Sequence, residues 1–454
     1  MEEKLEEAVA VTNKTLKLNK LILIVCVFGI TKSVSQTTQD ATKVYKKRVL
    51  ETTEVDFLTS YYSQDGDNAA VSGGIGTEEL TDVTGTFVVS IPLNDDDVLT
   101  IDAGVSAYTS ASSSNVGPFD DGPADPFQAS SGASTSDLWV NLTGSYSHTS
   151  NDRNNIWSAN ISISSEYDYF SAGIGASYSK LFNEKNTELS IHANIYIDTW
   201  NAIYPTELRP FGENGNGLNN RLFTQNTITG NTNYNPKFNE FQDEGRNSYL
   251  LGFGFSQILH KNIQSSLTLD LVQQQGLLST PFQRVYFGDV LNSFIDNFQL
   301  ADAIEHLPDS RFKVAVGGRL NWYINETFTL RTFYRYYFDD WGISSYTASI
   351  EVPIKITDKF TLYPSYRLYN QTTADYFSPY EKAISTDEFY TSDYDLSEYS
   401  ANQFGFGVSY TDIFTSSHIW KFGLKSIDLK FYQYDRDTSF TSNIITAGFK
   451  LIMD

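Results

Sequence analysis

Seven cations recur at spacings that keep them on one side of an extended chain: Arg311, Lys313 and Arg319, then Arg331 and Arg335, then Lys355 and Arg367. Residues an even number of positions apart point the same way along a β-strand, so each of these groups can share a face. Acids at comparable positions lie mainly earlier, at Asp56, Asp102, Glu188, Asp198 and Asp270. Gathered around a narrow aqueous path, a basic wall facing an acidic one sets up a transverse field that orients dipolar solutes and biases the passage of ions. The plainer alternative is that the charges neutralise one another in a packed lumen or are solvated by water.

A second candidate is cation binding. Asp65, Asp67 and Asn68, with Glu78 and Asp82, bracket the glycine-rich Gly73-Gly74-Ile75-Gly76; Asp120, Asp121 and Asp125 form another acidic group, and Asp393, Asp395 and Glu398 a third. Oxygen clusters are what divalent cations take as ligands. The spacing departs from the helical calcium loop, because the sixth position counted from Asp65 is Ala70 and the twelfth is Gly76 where glycine and glutamate are required. Solvated acidic surface is the simpler reading.

Catalytic chemistry has little to work with. The five histidines, His148, His192, His260, His306 and His418, are scattered, with no His-Glu-x-x-His helix and no serine elbow. His192 and Asp198 share a strand face, but six residues of extended chain hold them about 20 Å apart, beyond hydrogen-bonding reach. A barrel hydrolase is thus the weakest of the functional readings. No catalytic residue and no cofactor are expected. A net charge of −23 excludes nucleic acid as a partner, since binding it depends on Lys and Arg neutralising phosphates.

The elements that must position these side chains are strands. Aromatic residues make up 15% of the chain while hydrophobic residues reach only 40%, a mixture suited to short strands with one apolar and one polar side. Phe170, Ala172, Ile174, Ala176, Tyr178 and Phe182 alternate with Ser171, Gly173, Gly175, Ser177 and Ser179; Leu189, Ile191, Ala193, Ile195 and Ile197 alternate with Ser190, His192, Asn194 and Asp198. Units of this kind recur from residue 54 onward. A soluble sandwich and a membrane barrel share that alternation, and connection lengths separate them. Short turns at 94–97, 151–154, 183–186, 260–262, 325–326 and 357–359 are interspersed with long connections at 64–80, 110–134, 203–246, 276–310 and 372–400. Strict alternation of tight and long connections predicts an all-β, antiparallel up-and-down transmembrane barrel of about sixteen strands over 54–454, with turns in the periplasm and long loops outside. The stretch 420–434 changes phase near Ser426, predicting a bulge.

Two connections stand out. The apolar stretch 276–310 carries Phe282, Tyr286, Phe287, Phe294, Ile295 and Phe298, among others, and is expected to fold against the barrel or into it as a constriction, with a helical turn over 289–303; the alternative is a loop covering the rim. Asp339-Asp340-Trp341-Gly342 falls at an outer connection, where the tryptophan is expected as an interfacial anchor. At the other end of the chain, Lys14, Lys17 and Lys20 precede an apolar run at 21–30 that is followed by small and polar residues, the order of a secretory signal. Residues 1–35 are therefore predicted to be removed, taking with them Cys26, the only cysteine, and leaving 36–53 as a short periplasmic segment.

Several segments resemble the outer-membrane family catalogued as domain-of-unknown-function family 3570. They are 51–82, beginning Glu51-Thr52-Thr53-Glu54-Val55-Asp56; Leu307-Pro308-Asp309-Ser310-Arg311; the run from Tyr334 through Trp341 to Ile343; Ala374-Asp375-Tyr376-Phe377; and Ser392-Asp393-Tyr394-Asp395-Leu396-Ser397. The resemblance implies a Gram-negative outer-membrane protein without an assigned activity, often encoded near flavin-transferase and thioredoxin-like proteins, and hence a link to envelope redox processes. The terminus Phe449-Lys450-Leu451-Ile452-Met453-Asp454 departs from the aromatic ending usual in such barrels. The expected function is a porin-like channel for small solutes or ions in outer-membrane lipid. The alternative is a plugged barrel that anchors a periplasmic or surface protein partner.

Overall fold

The computed structural model describes residues 47–109, 136–238, 240–241 and 245–453; the predicted export signal, Cys26 and the Asp120, Asp121 and Asp125 group lie outside them. The alternating segments form β1 (Glu54–Gly66), β2 (Leu80–Pro92), β3 (Asp97–Thr109), β4 (Ser136–Thr149), β5 (Asn155–Ser165), β6 (Tyr169–Phe182), β7 (Thr187–Trp200) and β8 (Gly245–His260). They continue as β9 (Ile263–Gly276), β10 (Ser310–Tyr323), β11 (Thr329–Asp339), β12 (Ser344–Glu351), β13 (Ser365–Gln371), β14 (Tyr399–Thr411), β15 (Phe422–Arg436) and β16 (Phe440–Met453). Ile354–Lys355 prolongs β12 and Phe360–Leu362 precedes β13. The breaks fall at Pro353 and Pro364, whose missing N–H groups interrupt the ladder.

Each strand pairs antiparallel with the next, and β16 returns to β1 in register from Glu54↔Ile452 to Gly66↔Phe440. Sixteen strands thus close on themselves, which leaves no unpaired sheet edge to be satisfied in lipid. Among the described residues no helix is long and apolar enough to cross a membrane; the chain crosses with strands. The predicted phase change is a register shift between Leu424 and Ser426 that loops out Lys425.

Register identifies the two faces. Ile161, Ile174 and Ile195 are directly opposed on β5, β6 and β7, and Ile161 is 69% and Ile174 59% exposed. An apolar surface continuing around a closed sheet belongs in hydrocarbon, because in water it would drive association. The opposite parity, rich in Ser, Thr, Asn, Gly and charge, faces the lumen.

At one end the connections are 93–96, 150–154, 183–186, 261–262, 324–328, 356–359 and 412–421. At the other end 67–79, 201–244, 277–309 and 372–398 are long, but 166–168, 340–343 and 437–439 are as tight as hairpins. Strict alternation therefore fails at three places. Each is closed by short-range bonding or a left-handed residue: Glu166 N–H donates to Tyr169 O (2.8 Å), Gly342 has φ 88° and Ser439 has φ 56°. The expected helical turn over 289–303 is absent too. That stretch holds the hairpin Ser293–Ile295 with Phe298–Gln299, turning at Asp296, whose φ is 51°.

Candidate functional site

The described structure brings two features together along the barrel axis, a charged lumen and a cap over the long-loop end. Register turns all seven predicted cations inward. Arg311 aligns with Gln274, Lys313 with Asp339, Arg319 with Phe333, Arg331 with Glu351, Arg335 with Gly317, and Arg367 with Ser349. Their surroundings differ. Arg311 is locked by Asp339 at 3.0 Å from Nε and lies 4.2 Å from the centre of the Trp341 ring. Arg331 meets Glu351 at 2.8 Å, and Lys355, at the short-turn rim, meets Asp358 at 2.9 Å. Arg319 lies 5.0 Å from the Phe333 ring centre. Among the described residues no ion pair engages Lys313, Arg335 or Arg367. Arg319, Arg331, Arg335 and Arg367 are exposed although they point inward, so water reaches the lumen beside them.

The predicted lumen acids are inward as well, but spread around the ring. Asp56 approaches Lys450 (3.6 Å), Asp198 pairs with Arg246 (3.0 Å), and Glu188 aligns with Ser256. Asp270 approaches His192 at 3.6 Å across Gly252, where an added Cβ would collide with the imidazole. Strands eight apart in a ring of sixteen face each other, so β10–β13 look across at β2–β5. On that far side Asp102 faces inward, and Asp82 and Asp137 join it. Neither had been assigned to the lumen from sequence, although the outward Val83, Leu138 and Val140 fix their parity.

The proposed cation loop is not drawn together. Asp82 points into the lumen and accepts from Thr84 Oγ1 (2.8 Å) and Ser106 Oγ; Glu78 Oε2 accepts from Asn68 N–H (3.1 Å); Asp65 sits at the opposite parity and Asp67 is exposed. Among the described residues no group of three or more His, Cys, Asp or Glu side chains is arranged to hold a metal ion.

The long connections build the cap. Leu208, Phe223, Tyr234, Tyr286, Ile295, Phe298, Leu300, Ala301 and Ile304, from 201–244 and 277–309, form one buried core; Val285, Phe287, Ala303, Ala383 and Tyr390 form a second that includes 372–398. The apolar stretch 277–309 is thus buried by packing on other long loops. Its keystone is Arg284, fully buried against fully buried Glu207, with Nε at 2.6 Å and Nη2 at 3.2 Å from the carboxylate. Arg284 Nη1 donates to Val71 O (2.7 Å), and its own carbonyl accepts from Ser392 Oγ (2.9 Å). One residue therefore ties together the four long loops among the described residues. The loops that carry Val71 and Arg284 leave the ring eight strands apart, so this hydrogen bond spans the mouth. Trp341 is 3% exposed and donates to Ser310 O (3.0 Å). The expected interfacial anchor is instead packed over Arg311.

Beneath the keystone, Glu305 is 2% exposed and accepts from Thr280 N–H (2.6 Å) and Thr391 Oγ1 (2.5 Å). Burial pushes its carboxyl up to about 8, with the Asp393 carboxylate adding to the effect; burial also pushes Asp393 up to about 7, with Asp395 adding. A carboxyl that holds its proton more tightly in the closed cap than in an open one favours closure fully below the ordinary carboxylate range. That advantage is lost as pH rises through about 7 to 8. Protease cleavage within 277–309 is expected to accelerate as pH is raised from roughly 5 to roughly 9, and Glu305→Gln to flatten the dependence. A rate independent of pH in the native protein would refute this.

A closed sheet with an apolar outer face, a hydrated charged lumen and a folded cap defines a transmembrane β-barrel of the outer-membrane type. The chain belongs to the family described as protein of unknown function (DUF3570), which matches residues 16–437. Among solved structures, similarity is found to a bacterial polysaccharide outer membrane secretin (TM-score 0.44, 10% identity, 89% of this chain and 98% of that one). A FadL homologue of Pseudomonas aeruginosa (TM-score 0.39, 10% identity, 89% and 91%) and OpdK of the same organism with vanillate (TM-score 0.37, 9% identity, 89% and 99%) are also similar. No curated protein matches the chain.

Proposed function

We propose that this protein is an outer-membrane channel for small solutes or ions, oriented with its tight turns in the periplasm and its capped mouth outside. The observation that carries the reading is the set of inward, water-exposed arginines, Arg319, Arg331, Arg335 and Arg367. Several cations on adjacent strands without enough acids to pair them are costly in a dry interior and are stable beside water. Facing Asp82, Asp102 and Asp137, they give the lumen a transverse field, and the excess of cations on the β10–β13 side favours anions and dipolar solutes.

The bridged mouth supports a second reading, in which the barrel is an anchor and the cap or the periplasmic turns hold an envelope partner, including a redox partner. Single-channel recording of the refolded barrel in a planar bilayer separates the two, with a heat-modifiability gel to establish folding. Discrete ohmic steps, more frequent at alkaline pH, are expected of a capped channel. A folded barrel that stays silent at every pH, and also after cleavage of the cap, would leave the anchor.

A further inference from the structure

Seven connections lie at the short-turn end. Six are tight turns rich in Asn, Asp and Lys, and 412–421 is different. Ile413 is 77%, Phe414 87%, Ile419 65% and Trp420 82% exposed. Such exposure is unusual for a segment held this firmly. The Asp412 carboxylate, 2% exposed, accepts from Phe414 N–H (3.3 Å) and Ser416 N–H (3.1 Å) and faces Lys359 Nζ at 3.7 Å. Leu424 N–H donates to Ser417 O (2.8 Å), His418 and Ile419 pair with Gly423 and Phe422, and Trp420 turns the chain at φ 57°. The apolar side chains are presented by a folded hairpin.

Register says which way that hairpin faces. Ile419 opposes Phe422, which opposes Met453; Leu424 opposes Leu451, and Ile427 opposes Phe449. Phe449 stacks on Phe57, at 6.2 Å between ring centres, on the lipid-facing parity of β1 and β16. The hairpin therefore extends the lipid-facing surface of β15 and β16 beyond the end of β14. At its tip Lys421 Nζ lies 5.5 Å from the centre of the Trp420 ring, and among the described residues no ion pair engages it.

We propose that 412–421 is a membrane-inserting finger: Phe414, Ile419 and Trp420 sit at the headgroup boundary of the leaflet at the short-turn end, and Lys421 beside Trp420 contacts the phosphate of an anionic phospholipid. Continuity with the lipid-facing band assigns the occupant, since a partner protein would have to sit flush with bilayer lipid. The pairing of an indole with a free ammonium is the chemistry that stabilises the boundary between acyl chains and headgroups. The inference is independent of whether the lumen conducts.

The full barrel, reconstituted into phosphatidylcholine vesicles with and without phosphatidylglycerol, tests it. The contribution of Trp420 is read as the fluorescence difference between the native protein and Trp420→Phe, after a heat-modifiability gel has shown both folded. Blue-shifted emission that is quenched by lipid brominated near the headgroup and protected from iodide is expected, as is a red shift in Lys421→Glu that occurs only with phosphatidylglycerol. Quenching by iodide without quenching by brominated lipid would put the finger in water and overturn the proposal. Protection from both quenchers would overturn it in favour of a protein contact, and an unshifted Lys421→Glu would remove the anionic lipid.

Discussion

Arg284→Ala is expected to open the mouth of the barrel, raising the fraction of time the refolded protein conducts by on the order of 10²-fold or more. Glu207 would remain fully buried without its counter-ion, Val71 O would lose its donor, and the bond that crosses the mouth would disappear. Removing one partner of a buried ion pair costs about 3–5 kcal/mol, and each 1.4 kcal/mol is roughly a tenfold change in an equilibrium. The barrel itself should keep its gel mobility, because the keystone's ladder partner is Ile304 of its own loop and it takes no part in the ladders of the sixteen barrel strands. A compensating pair, Arg284→Met with Glu207→Leu, removes both charges while keeping similar volume, and is expected to restore closure. Native-like conductance in Arg284→Ala would show that the cap does not gate the lumen.

The same pair shows where sequence reading stops. Strand parity is a local property, so once the connection lengths point to a barrel with its apolar face outward, alternation places the seven cations and five acids on the inner side of their strands. Even the bulge at Lys425 announced itself as a change of phase. Arg284 and Glu207 are 77 residues apart, and their partnership exists only because two loops from different hairpins pack together. No periodicity encodes that. The helix expected over 289–303 failed for a related reason: apolar residues at spacings of three and four also arise when a short hairpin buries both arms. Asp296-Asn297, between Ile295 and Phe298, was the available signal, since Asp and Asn are the residues that turn a short hairpin, and Asp296 takes the left-handed conformation there at φ 51°. Trp341 was misplaced because a connection of four residues, 340–343, cannot be told from the sequence to lie beneath a neighbouring cap. Asp82 was claimed by a cation-loop reading that weighed residue type above strand parity.

Charge reversal in the lumen should then rank by pairing, and not by residue count. Arg335→Glu is expected to shift the reversal potential under a salt gradient far toward cation preference, because Arg335 is inward and exposed, and among the described residues no ion pair engages it. Arg331→Glu should raise cation preference less per charge changed. Its guanidinium is already offset by Glu351 at 2.8 Å, and the new carboxylate would repel that partner and turn aside. Lys355→Glu, at the rim beside the fully solvated Asp358, should do least. The order follows from screening: a charge matters to a passing ion when no counter-charge sits within a few ångströms and when little mobile salt lies between them. Raising the salt to about 1 M, where the Debye length falls to about 3 Å, should therefore shrink all three effects together while leaving the ranking intact. Equal effects from all three reversals, or none from Arg335→Glu, would mean that permeant ions do not pass along β10–β13, and the arginines would then be solvated wall charges without a part in selectivity.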